Sequence, residues 1–383
     1  MVVRDNIHGD IEFTASEENV ISSKWFQRLR QIKQLAFADY VFPGAVHNRF
    51  AHSLGCVKCI TDMYEAVCVN MPSFYRESDL PLLRMMALFH DIGHAPFSHA
   101  AEELSTKEHE ERLTEILELF KDYIVIPNDY NCKPYELIDQ VYQGYGSIYM
   151  SDRHLMTLHS FMDGIIDADK LDYLARDALY CGVDYGKFDR QSLVSSLTTV
   201  DDELAITHTG VSALENFVLA RYYMFKEVYL HPQERMMRML YCEEMRHILK
   251  DGMFPDDTKK FLQLNDSKYI DKLKCVRNNP YILLYDSVFD AGLKEHIGRL
   301  LGDYLVCDAP RKSLFRSDED DQNIKVINKI DNSIHLCTEL SPVLHGIEFE
   351  SIHKLRFYAH KDIGSAIIQE FRKVVKKYYE KRS

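Results

Sequence analysis

Three histidines and an aspartate fall within one short stretch of the chain, as His90, Asp91, His94 and His99. The preceding residues, 82–89, are too densely apolar for a single face, which predicts a helix buried in the interior. Burying a carboxylate beside a titratable ring costs on the order of several kcal/mol unless something compensates, and a metal cation is a common compensation. A carboxylate that only fixes the tautomer of a polar histidine is the alternative.

A second group of side chains that could take part in binding or catalysis is Asp169, Tyr173 and Asp177. Their spacing of four residues places them on one face of a predicted helix, away from its apolar stripe. A solvated acidic face is the alternative, and its carboxylates would normally form ion pairs with lysines four residues away. Lys170 and Arg176 are close in sequence but point elsewhere on the helical wheel. Asp169 is therefore a candidate fourth metal ligand.

The third group lies upstream, in residues 46–55. Arg49 and His52 are three residues apart and share one face of a predicted helix, whereas His47 and His52, five apart, do not. An arginine and a histidine on one face suit an anionic oxygen ligand beside a metal. An exposed helix start with ordinary polar residues is the alternative.

Together these groups predict a metal site with two imidazoles, two carboxylates and no thiolate. The predicted ligands are His52, His90, Asp91 and Asp169. Nitrogen and oxygen donors suit a divalent Fe, Mn, Co, Zn or Mg ion and leave positions open for water and substrate oxygens. The chemistry that this pattern indicates is hydrolysis, in which a cation offsets the charge that grows on a phosphate.

The elements that must position these residues are mostly helical. The expected fold is mainly α, a helical bundle over residues 1–250 followed by a smaller mixed α+β region over residues 251–383. The remaining predicted elements are a hairpin over 5–13, helices over 24–35 (capped by Ser22 or Ser23), 102–120, 214–229 and 363–381, and a strand over 354–359.

Composition narrows the class of protein. The 383 residues are 46% hydrophobic with 16 glycines and 11 prolines, which is typical of a well-packed globular chain. Nine scattered cysteines indicate reduced thiols, and the one CxxC, Cys56 to Cys59, is interpreted as helix packing. A net charge of −13 disfavours, without excluding, a nucleic-acid partner. No targeting signal or membrane-spanning run is apparent, so a cytoplasmic protein with no membrane partner is expected.

Five stretches extend the pattern beyond single residues. The spaced set of His52, His90-Asp91 and Asp169 resembles the signature of the HD-domain phosphohydrolases. Within that group, the flanking sequence is similar to the deoxynucleoside triphosphate (dNTP) triphosphohydrolases, over about residues 4 to 240. The stretches are 26–30 (Phe-Gln-Arg-Leu-Arg), 41–45 (Val-Phe-Pro-Gly-Ala), 47–55 (His-Asn-Arg-Phe-Ala-His-Ser-Leu-Gly), 90–99 (His-Asp-Ile-Gly-His-Ala-Pro-Phe-Ser-His) and 167–173 (Asp-Ala-Asp-Lys-Leu-Asp-Tyr).

The resemblance implies an activity and a role for each matching position. Water, aided by the metal, would cleave a dNTP into deoxynucleoside and inorganic triphosphate. His94 would protonate the leaving 5′ oxygen, with His109 and Glu110 supporting catalysis near the phosphates. The triphosphate would be held by Arg49, His99, Lys170 and Arg221, and the deoxyribose would be framed by Gln34, Tyr173, Asp177 and Tyr229. A homo-oligomer, dimer or tetramer, is also implied.

The chain departs from its relatives in two ways. We expect no SAM-like module before the motifs, and Ser22 stands where nucleotide-activated relatives have an acidic residue that reads guanine, although Arg30 is retained. The resemblance therefore carries over no activator site at that position, and a different effector site at a subunit interface stays open. Two other functions also stay open: hydrolysis of another nucleotide phosphate ester, and nucleic-acid binding by a protein with a vestigial site.

Overall fold

The computed structural model describes residues 1–107, 109–127, 130–274, 278–313, 323–348 and 351–380. Within these ranges the side chains of residues 109, 110, 313 and 348 are not described. The helices, α1 to α17, are Ala15–Ser22, Lys24–Gln27, Arg49–Asn70, Asp79–Phe89, His109–Leu119, Pro134–Tyr142, Ser147–Ser151, Arg153–Ser160, Ala168–Cys181, Arg190–Ser195, Val211–Met224, Pro232–Ile248, Thr258–Phe261, Ala291–Leu301, Cys337–Leu340, Pro342–Glu348 and Ser365–Glu380. The strands, β1 to β10, are Val2–Asp5, Gly9–Glu12, Leu197–Val200, Glu203–Thr207, Tyr281–Val288, Leu305–Asp308, Arg311–Ser313, Lys325–Ile327, Ile334–Leu336 and Ser351–His360.

The centre of the bundle is α3, which packs against α4 on one side and α9 on the other. Asn48 begins α3 by accepting a hydrogen bond from the Ala51 amide at 3.1 Å, and Asp167 begins α9 by accepting one from the Lys170 amide at 2.7 Å. Gly182, with φ of 69°, ends α9 in the left-handed conformation that glycine tolerates. The caps therefore fix where both ligand-bearing helices start.

The predicted buried helix over 82–89 is confirmed as α4. Its apolar residues are almost fully enclosed, and they belong to one large core with the inner faces of α3 and α9. Phe97 and Ser98 follow in left-handed conformations, with φ of 62° and 54°. The Phe97 amide donates to Asp266 at 2.7 Å and the Ser98 hydroxyl donates to the Lys33 carbonyl at 2.6 Å, so contacts with distant segments hold this turn.

In the described ranges, three small sheets accompany the bundle. Strands β1 and β2 form the predicted hairpin, with Val3 opposite Ile11. In the carboxyl-terminal region β10 lies between β5 and β6 and also pairs with β7, and α14 and α17 share an apolar cluster with this sheet. The third sheet has the order β3-β4-β8-β9, in which β4 and β8 are parallel. The mainly α fold with a small mixed region is confirmed, whereas the boundary near residue 250 stays a prediction.

The predicted helix over 24–35 is wrong at its end. Ser23 caps α2 as expected, but the chain tightens into a 3-10 turn over Arg28–Gln31 and is extended at Ile32. The Ile32 carbonyl accepts from the Arg49 amide at 3.0 Å, and the Gln34 amide donates to the His47 carbonyl at 3.1 Å. These backbone bonds to the start of α3 and the residues just before it replace the helical ones, because pairing between distant segments overrides a local preference.

The other predicted elements need smaller changes. The helix predicted over 102–120 is too long, since a 3-10 segment, Ser98–Leu104, is followed by a separate α5 that begins at His109. The helix over 214–229 is α11 and continues in a π-helical turn over Phe225–Tyr229. The last strand and the last helix are β10 and α17. Among the helices of the described residues, none combines the length and the apolar character that crossing a bilayer requires.

Candidate metal centre and substrate site

The four predicted ligands lie together where α3, the end of α4 and the first turn of α9 meet. The Nε2 atom of His52 is 3.2 Å from the Nε2 atom of His90 and 3.0 Å from an Asp169 carboxylate oxygen. Asp91 places one oxygen 3.5 Å from His52 Nε2 and the other 3.5 Å from His90 Nε2. Two imidazole nitrogens and two carboxylates therefore converge on one point, where both histidines and Asp91 are buried and Asp169 is partly exposed.

The second nitrogen of each ring has another partner, which fixes the tautomer. His52 Nδ1 donates to Asp172 at 2.7 Å, and His90 Nδ1 donates to the Ala87 carbonyl at 2.8 Å. Neither acceptor carries a proton to give, so in the neutral form of each ring the lone pair lies on Nε2. A carboxylate or a carbonyl behind the ring is the usual support for a metal-bound histidine. The donor set therefore fits a divalent cation.

The electrostatics of the cluster also favour a cation. Burial tends to raise the pKa of Asp91, but Arg49, His90 and His94 hold it well below its usual range. Burial acts in the same direction on Asp169, and His52 beside it lowers that pKa. Buried carboxylates that stay ionised need compensating positive charge, which a divalent ion supplies.

Cys56 belongs to the same cluster, although the CxxC pattern predicts only packing and the predicted ligand set holds no thiolate. Its sulfur lies 3.6 Å from Nδ1 and 3.7 Å from Nε2 of His52, and 4.0 Å from Nε2 of His90. Near-equal distances to both nitrogens of one ring place the sulfur beside the ring and off the line of the Nε2 lone pair. His52, Cys56, His90 and Asp169 form a group that can hold a metal ion, with Cys56 the least well aimed.

Arg49 and His94 flank the cluster. The Arg49 guanidinium donates through Nη1 to Asp91 and through Nε to the Ser98 hydroxyl at 2.7 Å. Its Nη2 atom is buried and has no hydrogen-bond partner among the described residues. His94 is buried, with Nε2 3.1 Å from Asp91, so one carboxylate orients both side chains. An unpaired guanidinium nitrogen beside a metal cluster is suited to an anionic oxygen.

Three further cations predicted to hold the triphosphate lie outside this inner group. His99 is exposed and paired with Glu102, while its ring stands 4.8 Å from the ring of His94. Lys170 pairs with the N-cap Asp167. Arg221 lies over the ring of Phe225, with 5.6 Å between the guanidinium carbon and the ring centroid. Their grouping around a triphosphate therefore stays a prediction.

Asp177, two turns along α9 from Asp169, joins two elements that the sequence separates widely. One oxygen is 2.7 Å from His47 Nε2 and the other accepts from the Tyr229 hydroxyl at 2.7 Å. Tyr173 stands edge-on to Tyr229, with 6.0 Å between ring centroids. The face predicted from the spacing of Tyr173 and Asp177 is thus extended by Tyr229. Gln34 is also buried, and within the part of the chain that the structure describes its Oε1 atom has no hydrogen-bond partner.

Sequence reasoning misses the residues that support the site. His47 does not share a helix face with His52, yet it lies before α3 and reaches Asp177. Asp172, three residues after Asp169, reaches His52 from behind. The one available signal is the density of acidic residues in 167–177. The side chains of His109 and Glu110 lie outside the described residues.

Comparisons with known proteins agree with this geometry. The HD domain model matches residues 49–127, which contain His52, His90 and Asp91, and the HD-associated region model matches residues 188–282. Asp169 lies between the two matches.

Among sequence relatives, the uncharacterized protein YwfO of Bacillus subtilis is 33% identical over 217 residues, which are 57% of this chain and 48% of that protein. The human deoxynucleoside triphosphate triphosphohydrolase SAMHD1 is 31% identical over 297 residues, 69% of this chain and 45% of that protein. A SAMHD1 homolog of Dictyostelium discoideum is 28% identical over 284 residues, 70% of this chain and 53% of that protein. The chain thus spans about half the length of these relatives.

Solved structures extend the similarity to the whole chain. A hypothetical protein from Aquifex aeolicus has a TM-score of 0.81 at 26% identity, over 98% of this chain and 99% of that one. A phosphohydrolase from Bacteroides thetaiotaomicron shares the fold, with a TM-score of 0.74 at 24% identity, over 94% of this chain and 100% of that one. The HD model lies over the segments that carry the two histidines, and the HD-associated region model follows it, so this chain contains an HD domain with its associated region.

Proposed function

We propose that this protein hydrolyses dNTPs to deoxynucleoside and inorganic triphosphate with a divalent cation held by His52, His90, Asp91 and Asp169. The observation that carries the proposal is the convergence of these donor atoms, with separations of 3.0 to 3.9 Å, at the junction of three helical elements. Sequence similarity to SAMHD1 and its homologues supports the choice of substrate.

The cation supplies the activation of water and the neutralisation of charge on the attacked phosphate. Arg49 has a complementary task. Two of its nitrogens are committed to Asp91 and Ser98, so the guanidinium is held rigidly, and its unpaired Nη2 is available to a phosphate oxygen. A preorganised donor of this kind costs no reorganisation during the reaction.

His94 is the proposed general acid. The contact between its Nε2 atom and Asp91 at 3.1 Å orients the ring toward the cluster, in a place where few solvent molecules compete for the proton. We assign it the transfer of a proton to the 5′ oxygen as the bond to the α-phosphorus breaks. By resemblance, His109 and Glu110 assist near the phosphates.

We assign the residues that bind the rest of the triphosphate and the deoxyribose by resemblance and from the contacts of Asp177. His99, Lys170 and Arg221 take the remaining triphosphate oxygens. Asp177, with Tyr229 and His47 fixing its two oxygens, forms a rigid polar wall for the deoxyribose, together with Tyr173 and Gln34. We further propose a cytoplasmic homo-oligomer, a dimer or a tetramer, on the same resemblance.

Product analysis tests the reaction. The protein, loaded in turn with Mn²⁺, Co²⁺, Fe²⁺, Zn²⁺ and Mg²⁺, is incubated with each dNTP singly and then with the mixture, and products are separated by chromatography. We expect equimolar deoxynucleoside and intact triphosphate. Release of pyrophosphate or orthophosphate instead would refute the proposed bond cleavage, and no turnover with any of these metals would favour another phosphate ester as substrate.

Substitutions tie the activity to the site. His90→Ala and Asp169→Ala should lose turnover and metal binding while remaining folded. His335→Ala is the matched control, because the side chain of that histidine is 45% exposed and pairs only loosely with Glu339, at 3.9 Å. Full turnover by the purified His90→Ala variant would refute the assignment.

A further inference from the structure

The side chain of Asp172 is a hub directly behind the metal cluster. One carboxylate oxygen accepts from His8 Nε2 at 2.6 Å and from Arg176 Nη2 at 2.8 Å. The other accepts from His52 Nδ1 at 2.7 Å and from Arg176 Nε at 2.8 Å. Asp172 is fully buried, so these four donors replace all of its water.

The amino-terminal hairpin is locked onto this hub by a closed ring of hydrogen bonds. Asp5 accepts from the amides of Ile7 at 2.8 Å and His8 at 2.9 Å, which fixes the turn between β1 and β2. The other oxygen of Asp5 accepts from Arg176 Nη1 at 3.0 Å. Arg176 therefore holds Asp5 and Asp172 at once, and His8 closes the ring from the turn back to Asp172.

The hub is a support and not a second metal centre. His8, Cys59 and Asp172 are close enough to hold an ion, and the Cys59 sulfur is 3.7 Å from His8 Nε2. However, both oxygens of Asp172 are already occupied, and a cation there would face the guanidinium of Arg176 at hydrogen-bond distance from the same carboxylate. The four hydrogen-bond donors therefore hold the Asp172 carboxylate in one orientation and leave no oxygen free for a second metal ion.

We propose that His8 is a positioning residue of the metal centre. It holds Asp172 in the orientation in which the carboxylate accepts the His52 Nδ1 proton, and this aims the His52 Nε2 lone pair at the cation. Without the His8 donor, one oxygen of Asp172 keeps only its bond to Arg176 Nη2, and the carboxylate is held less firmly against His52 Nδ1. The inference rests on the metal centre of the proposed function and is independent of its substrate.

The test is equilibrium binding of Co²⁺ alone to the full chain, followed by the visible absorption of the bound ion. His8→Ala should weaken Co²⁺ binding by about 10- to 100-fold, the usual effect of losing an outer-shell partner. His8→Gln keeps an amide donor near the position of Nε2 and should retain both affinity and spectrum. His8→Asn has a shorter side chain and should bind as weakly as His8→Ala. Arg4→Ala is the matched control in the same hairpin, since Arg4 pairs with Asp10 at the exposed surface.

Each outcome of these measurements supports or overturns the positioning role of His8. If His8→Ala does not fold, as judged by circular dichroism, the comparison of the Gln and Asn variants replaces it. Equal Co²⁺ affinity for wild type and His8→Asn, or loss of affinity in Arg4→Ala as large as in His8→Asn, would overturn the inference. Absence of Co²⁺ binding by the wild type would overturn the metal centre as well. A protein that binds Co²⁺ as expected but leaves dNTPs intact would support the role of His8 and refute the proposed substrate.

Discussion

Gly55 is the residue whose substitution most directly tests the packing behind the metal cluster. It lies on α3 facing α9, and a Cβ atom built there would be 1.9 Å from an Asp172 oxygen and 2.4 Å from Arg176 Nη2. Neither atom is the free end of a flexible side chain, because Asp172 and Arg176 hold each other. Gly55→Ala must therefore displace the buried pair.

Two opposing effects set the magnitude. Replacing glycine by alanine within a helix stabilises it by about 1 kcal/mol. Separating the partners of a buried ion pair costs about 3 to 5 kcal/mol, because each charge is left without compensation. The second effect is larger, so the free energy of unfolding should fall by about 2 to 4 kcal/mol, a large part of the roughly 5 to 15 kcal/mol typical of a folded protein.

Urea unfolding of the metal-free protein measures this difference, and Co²⁺ titration reports whether His52 has lost its support. Gly298→Ala on α14 is the matched control, since no atom of the described residues lies within 4 Å of a Cβ atom built there. The control should gain up to about 1 kcal/mol from helix propensity alone. A Gly55→Ala protein as stable as wild type, with unchanged Co²⁺ affinity, would refute the reasoning.

Three further predictions concern pH, the metal and the substrate wall. Burial tends to raise the pKa of Asp172 but Arg176 holds it well below its usual range, so the stability that this carboxylate contributes is present above about pH 4. This stability should be lost as the pH falls further. In unfolding experiments on Asp172→Asn, the free energy of unfolding should therefore decrease less as the pH is lowered below about 4. Chelation with EDTA should lower both the melting temperature and turnover, and Mn²⁺ or Co²⁺ should restore both; unchanged melting would contradict a structural metal contribution. Tyr229→Phe removes one donor to Asp177 and should lower kcat/KM by about 5- to 30-fold, equivalent to about 1 to 2 kcal/mol, whereas Tyr223→Phe at the exposed surface should not.

Local sequence is sufficient to predict the elements that carry the chemistry. The apolar density of 82–89 predicts a buried helix, and the spacing of Asp169, Tyr173 and Asp177 predicts one face of another. These inferences depend on period and residue type within a single helix, so they require no knowledge of distant contacts. The types of the donor side chains also limit the predicted chemistry to oxygen- and nitrogen-bound cations.

Contacts between segments that are remote in sequence place the side chains that support the metal-binding donors. His8 is 164 residues from Asp172, and His47 is 130 residues from Asp177, yet each pair is within hydrogen-bond distance. The helix predicted over 24–35 stops early because backbone groups of Ile32 and Gln34 are bonded to Arg49, at the start of α3, and to His47 just before it. No local pattern contains such information, because a hydrogen bond between remote residues is specified by how helices pack and not by their own sequence. The donors and their helices are therefore predictable from the chain, while the supports that aim them arise only when α3, α9 and the amino-terminal hairpin come together.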